Sequence, residues 1–369
     1  MALKVGLVGL KGIGQNHAKS YSTNPLSELV AVCDVIKSRA DEMAAQYKVK
    51  AYYKLTDMLD AHPELDIVDV STGGSENGSW HFEPTMIALK AGKHVLVEKP
   101  ISNDINEARE MVKFAAEKDL YLGCNLNHYF TDVARDAKKL MAEGKIGEQV
   151  YCLHRMGFIG GEAGYKPGSG PNFDGFPYAH VKAFLAHPFG LMRHFCGDIT
   201  HLQAFMDKPS YRRNANDLMV SIASIHVRFE NGAIGYMFSQ RGDATMGLGG
   251  WWSIEVGGTK GTFCIENCVE KLTYYPSPQP GEKFGLGEQP KPVVTDTGLK
   301  DFGITFGDRI NAFLEDVTNK VPKHLLRASG RDALATLEYT FAAIESYEQG
   351  GTLVRPHPLP SLNRNPRDF

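Results

Sequence analysis

The sequence has little that would anchor the chain in a membrane or attract a strongly charged partner. Its 369 residues carry a formal net charge of −3, so there is no basic field for nucleic acid or an anionic membrane surface. No apolar run approaches the ~18–20 residues that a membrane helix needs. The first residues show neither a signal-peptide nor a transit-peptide pattern. These absences predict a cytoplasmic protein without nucleic-acid or membrane partners.

Cysteine is also sparse. The six residues are scattered, mostly inside apolar runs, and no C-x-x-C pair is present. This pattern favours reduced, buried thiols in a cytoplasmic protein.

Histidine has a regular spacing in one part of the chain. Four histidines recur every seven residues: His180, His187, His194 and His201. Pro188 and Gly190 should break a continuous helix through them, and a closely spaced H-x-x-x-H pair is absent. We therefore predict no metal site, with one histidine catalytic and the other three packed or exposed.

The chain opens with a short apolar run and a cluster of glycines. Leu3 to Gly14 read LKVGLVGLKGIG, which predicts a strand, a tight turn and the start of a helix. In a dinucleotide-binding fold such glycines let the backbone approach a pyrophosphate at the helix N-terminus. Asp34 follows Gly14 by twenty residues, after the apolar run Leu29–Cys33. A carboxylate there would bond the ribose hydroxyls and repel a 2′-phosphate, so NAD is favoured over NADP.

The glycine fingerprint is imperfect at its second position. G-x-G-x-x-G would need glycine at position 11, where the chain has Lys11 followed by Gly12. Either Gly12 takes over the turn, or the cofactor sits slightly differently and the Lys11 ammonium helps to hold phosphate. An ordinary βα turn without a ligand is the alternative. The predicted cofactor contacts in the turn are Gly9, Lys11, Gly12, Ile13 and Gly14.

Up to about Asn125, apolar strand-like runs alternate with amphipathic helix-like segments. This alternation predicts a parallel, doubly wound α/β sheet, whose ligands bind beyond the carboxyl ends of the strands. The candidate site therefore consists of the segments that follow the predicted strands: Gly9 to Gly14, Asp34, Ser71 to Gly73, Glu98 to Pro100, and Asn125 to His128.

Further along, consecutive strands without intervening helices predict a second domain of α+β type with a large open, mostly antiparallel sheet. Asn231-Gly232 between two such strands predicts a type I′ hairpin. The loop from Gly157 to Pro177 is either a lid or a surface excursion. Trp251 and Trp252 are predicted to pack in the core rather than to stack on a sugar ring.

We predict a dinucleotide-binding domain over 1–125, an α+β domain for substrate and oligomerisation over 126–328, and a C-terminal helix and tail over 329–369. The apolar outer face of the open sheet is expected to pair with further subunits, giving a homo-dimer or homo-tetramer.

Glu98-Lys99-Pro100 is the sharpest local signal after the glycine turn. An ammonium held at the carboxyl end of a strand could bond a substrate hydroxyl and stabilise charge on that oxygen as hydride leaves its carbon. The proline fixes the exit direction of the chain. A solvated turn is the alternative interpretation.

Together these stretches resemble the glucose–fructose oxidoreductase and inositol dehydrogenase (Gfo/Idh/MocA) family. The stretches that carry the resemblance are GLVGLKGIG, Asp34, His81 to Glu83, Ala88 to Pro100, Asn127 to Phe130, Glu255 to Thr262 and the last helix. The resemblance implies a Rossmann domain, a C-terminal domain with an open sheet, and NAD(P)-dependent oxidation or reduction of sugars, polyols or derivatives.

The resemblance also implies roles for single residues. Lys99 is the catalytic lysine of the E-K-P motif, Thr72 and Glu98 line the cofactor groove, and His81 supports it. Asn125, after the last predicted strand of the first domain, is a further cofactor candidate.

The family often carries D-x-x-x-H-x-x-D on a helix, whose histidine acts as acid or base on the reacting hydroxyl. Counting back from Gly197, His187 falls on the histidine, while Ala183 and Gly190 occupy the places of the acids. An imidazole still suits proton transfer near neutral pH. The further candidates for substrate contact are Asp174, His180 and His128.

The main expectation is an NAD-dependent oxidoreductase that transfers hydride between the nicotinamide and a hydroxyl-bearing carbon of a sugar, cyclic polyol or derivative. Two alternatives stay open. An NAD-assisted glycoside hydrolase working by transient oxidation would account for the missing acids around His187. A non-catalytic regulator that binds nucleotide and sugar is the second, and Lys99 counts against it.

Overall fold

A computed structural model describes residues 2–73, 79–166, 176–245, 247 and 249–360. They fall into two compact units. Unit 1 takes the residues up to Asn127, Gly303–Glu338 and those from Pro358 onward, and unit 2 takes His128–Phe302 and Tyr339–His357.

Unit 1 is built on a six-stranded parallel sheet. Its strands are β1 (Leu3–Val8), β2 (Ser27–Cys33), β3 (Lys50–Tyr52), β4 (Ile67–Val70), β5 (His94–Val97) and β6 (Leu122–Cys124). Their order is β3-β2-β1-β4-β5-β6, so the chain reverses direction across the sheet between β1 and β4. Such a reversal is where ligands of doubly wound sheets bind. The predicted parallel, doubly wound sheet is confirmed.

Helices connect these strands: α1 (Ile13–Thr23), α2 (Lys37–Tyr47), α3 (Leu55–Ala61), α4 (Phe82–Lys90) and α5 (Ile105–Glu117). The start of α5 shows a side-chain cap. Asp104 accepts hydrogen bonds from the backbone N–H groups of Asn106 and Glu107, which satisfies two of the donors that a helix leaves without partners at its first turn.

Unit 2 contains an eight-stranded sheet. Its strands are β7 (Gln149–Gly157), β8 (Ile199–Asp207), β9 (Ile222–Phe229), β10 (Ile234–Gln240), β11 (Trp252–Gly258), β12 (Gly261–Glu266), β13 (Lys271–Pro276) and β14 (Val293–Asp296). The order is β14-β13-β12-β11-β7-β10-β9-β8, with β7 and β10 parallel and the other neighbours antiparallel. This confirms the open, mostly antiparallel sheet. The helices of this part of the chain are α6 (Asp132–Ala142), α7 (Ala179–Phe184), α8 (Ala186–Cys196) and α9 (Ser210–Asn214).

One face of this sheet is rich in exposed apolar side chains. Leu153, Phe205 and Ile234 are 44%, 54% and 63% exposed. Tyr236 pairs with Leu153, and Ile234 with Tyr151, so these side chains share one face.

No helix among the described residues is long and apolar enough to cross a membrane.

Two long helices complete the fold, α10 (Ile304–Thr318) and α11 (Gly330–Glu348). Residues 303–338 pack with unit 1. The predicted boundary at residue 328 therefore lies within a segment that belongs to this unit. Arg309 is the physical reason: its guanidinium is fully buried and donates to the carbonyls of Cys124 (2.9 Å) and Ala328 (3.1 Å). Phe313 of the same helix packs into a core that also contains Val5 of β1.

The β9–β10 hairpin corrects one sequence prediction. Of Asn231 and Gly232, only Gly232 has a positive φ, of 90°, so a type I′ turn is wrong. The Gly232 N–H donates to the Phe229 carbonyl (3.1 Å), and the Phe229 N–H donates to the Ala233 carbonyl (2.9 Å). A three-residue loop with a left-handed glycine therefore closes the hairpin, which the sequence placed correctly.

We expect Gly232→Ala to lower stability through the backbone alone. An added Cβ would meet no atom within 4 Å, but a side chain at positive φ costs about 1–2 kcal/mol. Scanning calorimetry should show a melting temperature about 2–4 °C lower. Gly164→Ala is the matched control, because that site is equally open and has no left-handed φ. Equal melting temperatures for the two variants would contradict the prediction.

Candidate functional site

The glycine turn after β1 is tightly packed on its inner side. Gly9 has φ of +88°, and a Cβ there would lie 2.5 Å from the Thr72 nitrogen. A Cβ on Gly14 would lie 2.0 Å from the Gly9 carbonyl oxygen. Ser71 donates to that same oxygen at 2.7 Å. Neither glycine therefore tolerates a side chain, and the turn is held against the end of β4.

The outer side of the turn is open. Gly12 has φ of +52° and begins α1 as its N-cap residue, and a Cβ there would meet no atom within 4 Å. Lys11 is exposed and has no positive φ, so Gly12, not Lys11, provides the left-handed step of the turn. Ile13, the first residue of α1, is 37% exposed.

The turn fits the pyrophosphate of a dinucleotide. No side chain caps the N-terminus of α1, and its first turn contains no acidic residue. The N–H groups and the dipole of a helix N-terminus favour an anion. The open side of Gly12 gives the space in which a phosphate group would approach the backbone.

Asp34 follows β2 directly and is tied to the glycine turn. Its Oδ2 accepts the Leu10 N–H at 2.9 Å, and its Oδ1 accepts the Ile36 N–H at 2.8 Å. A carboxylate oxygen has a second lone pair, so this fixed group retains acceptor capacity for ribose hydroxyls.

The E-K-P segment follows β5 at the same edge of the sheet. Glu98 is buried, its Oε2 accepts the Lys99 N–H at 3.0 Å, and its Oε1 accepts the Asn125 amide. Lys99 is partly exposed, and the peptide bond that joins it to Pro100 is cis.

His81 joins two of the strand ends. Its Nδ1 lies 2.7 Å from the Pro100 carbonyl oxygen and its Nε2 lies 2.6 Å from the Thr72 carbonyl oxygen. The buried ring thus supports both the segment after β4 and the segment after β5.

Three buried residues that the sequence analysis did not single out, His17, Asp69 and Tyr21, lie beneath this edge. Nε2 of His17, on α1, lies 3.2 Å from Glu98 Oε1, and its Nδ1 lies 2.9 Å from Asp69 Oδ1 on β4. The Tyr21 hydroxyl donates to Asp69 Oδ2 at 2.7 Å. Asp69 could have been recognised from the sequence, because a carboxylate inside the apolar run of β4 needs a buried partner.

Unit 1 therefore brings most of the predicted cofactor residues together at one edge of its sheet. They are Gly9, Gly12, Gly14, Asp34, Thr72, His81, Glu98 and Asn125, with Lys11 and Ile13 on the open side of the turn.

In unit 2, His187 lies near the start of α8 with its ring stacked on His128. The ring centroids are 3.9 Å apart and the planes differ by 5°. Trp252 and Phe302 contact His128 edge-on, at 5.4 and 5.3 Å. Both imidazole rings are buried, with His128 2% and His187 8% exposed. Trp252 is 1% exposed, which confirms its predicted core position.

The structure gives a reason for glycine at position 190, where the resemblance places one of the two acids. A Cβ on Gly190 would lie 2.8 Å from the Tyr129 hydroxyl oxygen, so the tyrosine occupies the space of a side chain at this position. The predicted interruption of a helix through the four histidines is present, but it lies at Leu185, between α7 and α8, and not at Pro188 and Gly190. Pro188 lies in the first turn, where the missing N–H has no partner within the helix.

The other predicted substrate residues differ in their surroundings. His180 is fully buried and its Nε2 lies 3.0 Å from the Ser239 hydroxyl; burial, with the charges of Arg241 and Arg212, lowers its pKa to about 3. Asp174 lies outside the described residues, as does much of the predicted lid between Gly157 and Pro177.

The histidine spacing does not build a metal site. His180 lies on α7, His187 and His194 on α8, and His201 on β8. Within the described ranges, no group of three or more His, Cys, Asp or Glu side chains is placed to hold a metal ion.

His154 of β7 is a further buried histidine that the sequence analysis missed. Its ring contacts Trp252 edge-on at 4.9 Å, and burial lowers its pKa to about 3. The sequence could have revealed this histidine, because it alternates with Cys152 and Met156 on the buried face of β7.

Comparison with known proteins places both halves of the chain in one family. Residues 3–126 match the model of an oxidoreductase family with an NAD-binding Rossmann fold, GFO/IDH/MocA, and residues 134–264 match the C-terminal domain of that family. Myo-inositol 2-dehydrogenase of Thermotoga maritima is 25% identical over 356 residues, 94% of this chain and 97% of the relative. D-glucoside 3-dehydrogenase of Escherichia coli is 30% identical over 147 residues, 40% of this chain and 41% of the relative.

Solved structures share the fold. Levoglucosan dehydrogenase in complex with NADH and levoglucosan has a TM-score of 0.80 and 19% identity, covering 97% of this chain and 100% of that chain. A putative myo-inositol dehydrogenase from Sinorhizobium meliloti has a TM-score of 0.73 and 20% identity, covering 96% and 100%. With the two family models, which together match more than half of the sequence, these findings show that the chain belongs to the GFO/IDH/MocA family of NAD-binding oxidoreductases.

Proposed function

We propose that the protein is an NAD-dependent dehydrogenase that acts on a hydroxyl-bearing carbon of a sugar, a cyclic polyol or a derivative. The observation that carries the proposal is the fixed Glu98-Lys99 segment, which lies at the same sheet edge as the open glycine turn and Asp34. The relatives named above act on myo-inositol and a D-glucoside by their names, and they supply the substrate class.

Different residues of this sheet edge would hold different parts of the cofactor. The open turn at Gly12 and Ile13, with the N-terminus of α1, would receive the pyrophosphate. Asp34 would accept from the ribose hydroxyls. The segments of Thr72, Glu98 and Asn125, supported by His81, would line the rest of the groove. When bound, NAD supplies the acceptor for the hydride.

Lys99 would act on the substrate oxygen. Its ammonium donates to the hydroxyl that is oxidised and stabilises the negative charge that develops there as the proton leaves. Because Glu98 holds the Lys99 N–H, the side chain projects from a fixed backbone.

His187 would take the hydroxyl proton. The stacked His128 ring holds the His187 imidazole in place, and an imidazole suits proton transfer near neutral pH.

Turnover with NAD and a panel of inositols, hexoses and glycosides tests the proposal, with lasting NADH absorbance as the expected result. Lys99→Ala should lower kcat by about 10²–10⁴-fold while the Kd for NAD, measured by calorimetry, stays nearly unchanged. Lys93→Ala is the matched control, because Lys93 lies at the opposite end of β5 and donates to the Pro63 carbonyl. Cleavage of a glycoside without lasting NADH would contradict the proposal and favour the hydrolase.

His187→Asn should remove the base while keeping a polar side chain of similar size. We expect kcat/KM to fall by about 10²–10⁴-fold and to lose its rise with pH, because that rise reports deprotonation of the base. The matched control is His201→Asn, since His201 is partly exposed on β8. An unchanged pH profile in His187→Asn would exclude His187 as the base.

The exposed apolar face of the unit 2 sheet motivates a proposal about assembly. We expect the protein to sediment as a dimer or tetramer, because an open apolar sheet face favours a partner. Leu153→Glu with Ile234→Glu should shift sedimentation velocity toward the monomer. Leu286→Glu is the control, since Leu286 is a fully exposed leucine outside the sheet. A monomeric wild-type protein would refute the proposal.

A further inference from the structure

A buried histidine lies between two carboxylates beneath the E-K-P segment. His17 and Asp69 are 0% exposed and Glu98 is 6% exposed. Nδ1 of His17 lies 2.9 and 3.0 Å from the two oxygens of Asp69, and Nε2 lies 3.2 Å from Glu98 Oε1. The Phe306 ring covers the imidazole, with the ring centroids 5.8 Å apart.

The contacts of this ring favour a charged form. Ionised carboxylates only accept hydrogen bonds, and only the imidazolium donates from both ring nitrogens at once. Burial opposes this charge, but the charges and hydrogen bonds of Asp69 and Glu98 outweigh it and raise the pKa of His17 to about 10. Burial likewise opposes ionisation of Glu98, yet His17 and Lys99 hold the pKa of Glu98 below its ordinary value. Both effects favour the same charged pair.

The other groups around the pair have defined positions. Tyr21 donates to Asp69 Oδ2, which leaves Asp69 fully bonded on the side away from Glu98. The Asn125 amide nitrogen lies 3.3 Å from His17 Nε2 and donates to Glu98 Oε1. The nearby cations are Lys99, which acts on Glu98, and Arg309 of α10, which acts on Tyr21.

Glu98 connects His17 with Lys99 through its two carboxylate oxygens. Its Oε1 faces His17 and Asn125, while its Oε2 accepts the backbone N–H of Lys99 at 3.0 Å. A protonated Glu98 keeps one carbonyl oxygen as an acceptor, but it loses the negative charge that strengthens the hydrogen bond from the Lys99 N–H. The placement of Lys99 therefore depends on Glu98 staying ionised.

We propose that His17 is a positioning residue for Lys99, holding Glu98 as a carboxylate and thereby fixing the backbone from which the lysine projects. The inference rests on the catalytic role proposed above for Lys99. His17 also lies on α1, the helix that begins at the glycine turn. The His17 ring thus connects the helix that follows the glycine turn with Asp69 of β4 and with Glu98 of the E-K-P segment.

The test is the pH profile of His17→Gln. Glutamine retains a donor but carries no charge, so the buried Glu98 should take up a proton at a higher pH than in the wild type. We expect kcat at pH 7 to fall by about 10-fold and to recover as the pH is raised toward 9. The acidic limb of the kcat profile should move up by about one pH unit or more, while the Kd for NAD changes much less. A loss of kcat that is equal at every pH would show a merely structural role and overturn the proposal.

Two further variants separate the charge effect from general damage. His62→Gln removes a surface histidine of the same unit, 3.0 Å from Glu64, and should leave the profile unchanged. Glu98→Gln removes the group that titrates, so His17→Gln added to it should cause little further loss and no shifted limb. If the two substitutions lowered kcat independently in the double variant, the result would contradict the proposal that His17 acts through Glu98.

A measurement on the wild-type protein covers the case in which His17→Gln does not fold. Nitrogen-15 NMR of histidine-labelled protein should show one of the 13 histidines still charged above pH 9. If every histidine is neutral by pH 8, the proposal fails. The two proposals fail differently: no turnover on any substrate removes the proposed function, whereas an inactive Lys99→Ala beside an unshifted His17→Gln removes only this inference.

Discussion

Parallel strands end at the same edge of a sheet, and the candidate site of unit 1 depends on that constraint. The turn after β1, Asp34 after β2, Thr72 after β4, Glu98 after β5 and Asn125 after β6 are far apart in sequence. The sheet order alone makes them neighbours. Local contacts then refine their positions, as when Asp34 accepts the Leu10 N–H and Ser71 donates to the Gly9 carbonyl.

Residues that follow apolar runs could therefore be found from the sequence. Most strands of unit 1 are apolar and buried, so their ends are visible as changes in composition. His17 and Asp69 could not be paired in the same way, because 52 residues separate them and only the folded sheet brings them together. Short strands such as β14, which is exposed along its whole length, carry no alternation to detect.

Unit 2 shows aromatic packing at one position where the resemblance to the family would place an acid. Where the family's pattern has acids on either side of a histidine, this chain has Ala183 and Gly190, and the Tyr129 ring fills the space at Gly190. His128 stacks on His187 from the neighbouring turn. The sequence revealed the missing acids but not their replacement, since the replacing rings come from a segment about sixty residues earlier. The helix through Pro188 was missed because proline was weighed without its position in the first turn.

The burial of Arg309 has a consequence for how the chain matures during synthesis. Unit 1 begins at the N-terminus, yet the carbonyl of Cys124 and the core around Val5 are completed by α10, which is made after all of unit 2's sheet. A nascent chain that has just emerged through β6 lacks Ile310 and Phe313, so its apolar core stays partly exposed to water. Unit 1 therefore completes its core only after α10 has been made. Chaperones have the whole period during which the strands of unit 2 are translated to act on the incomplete core.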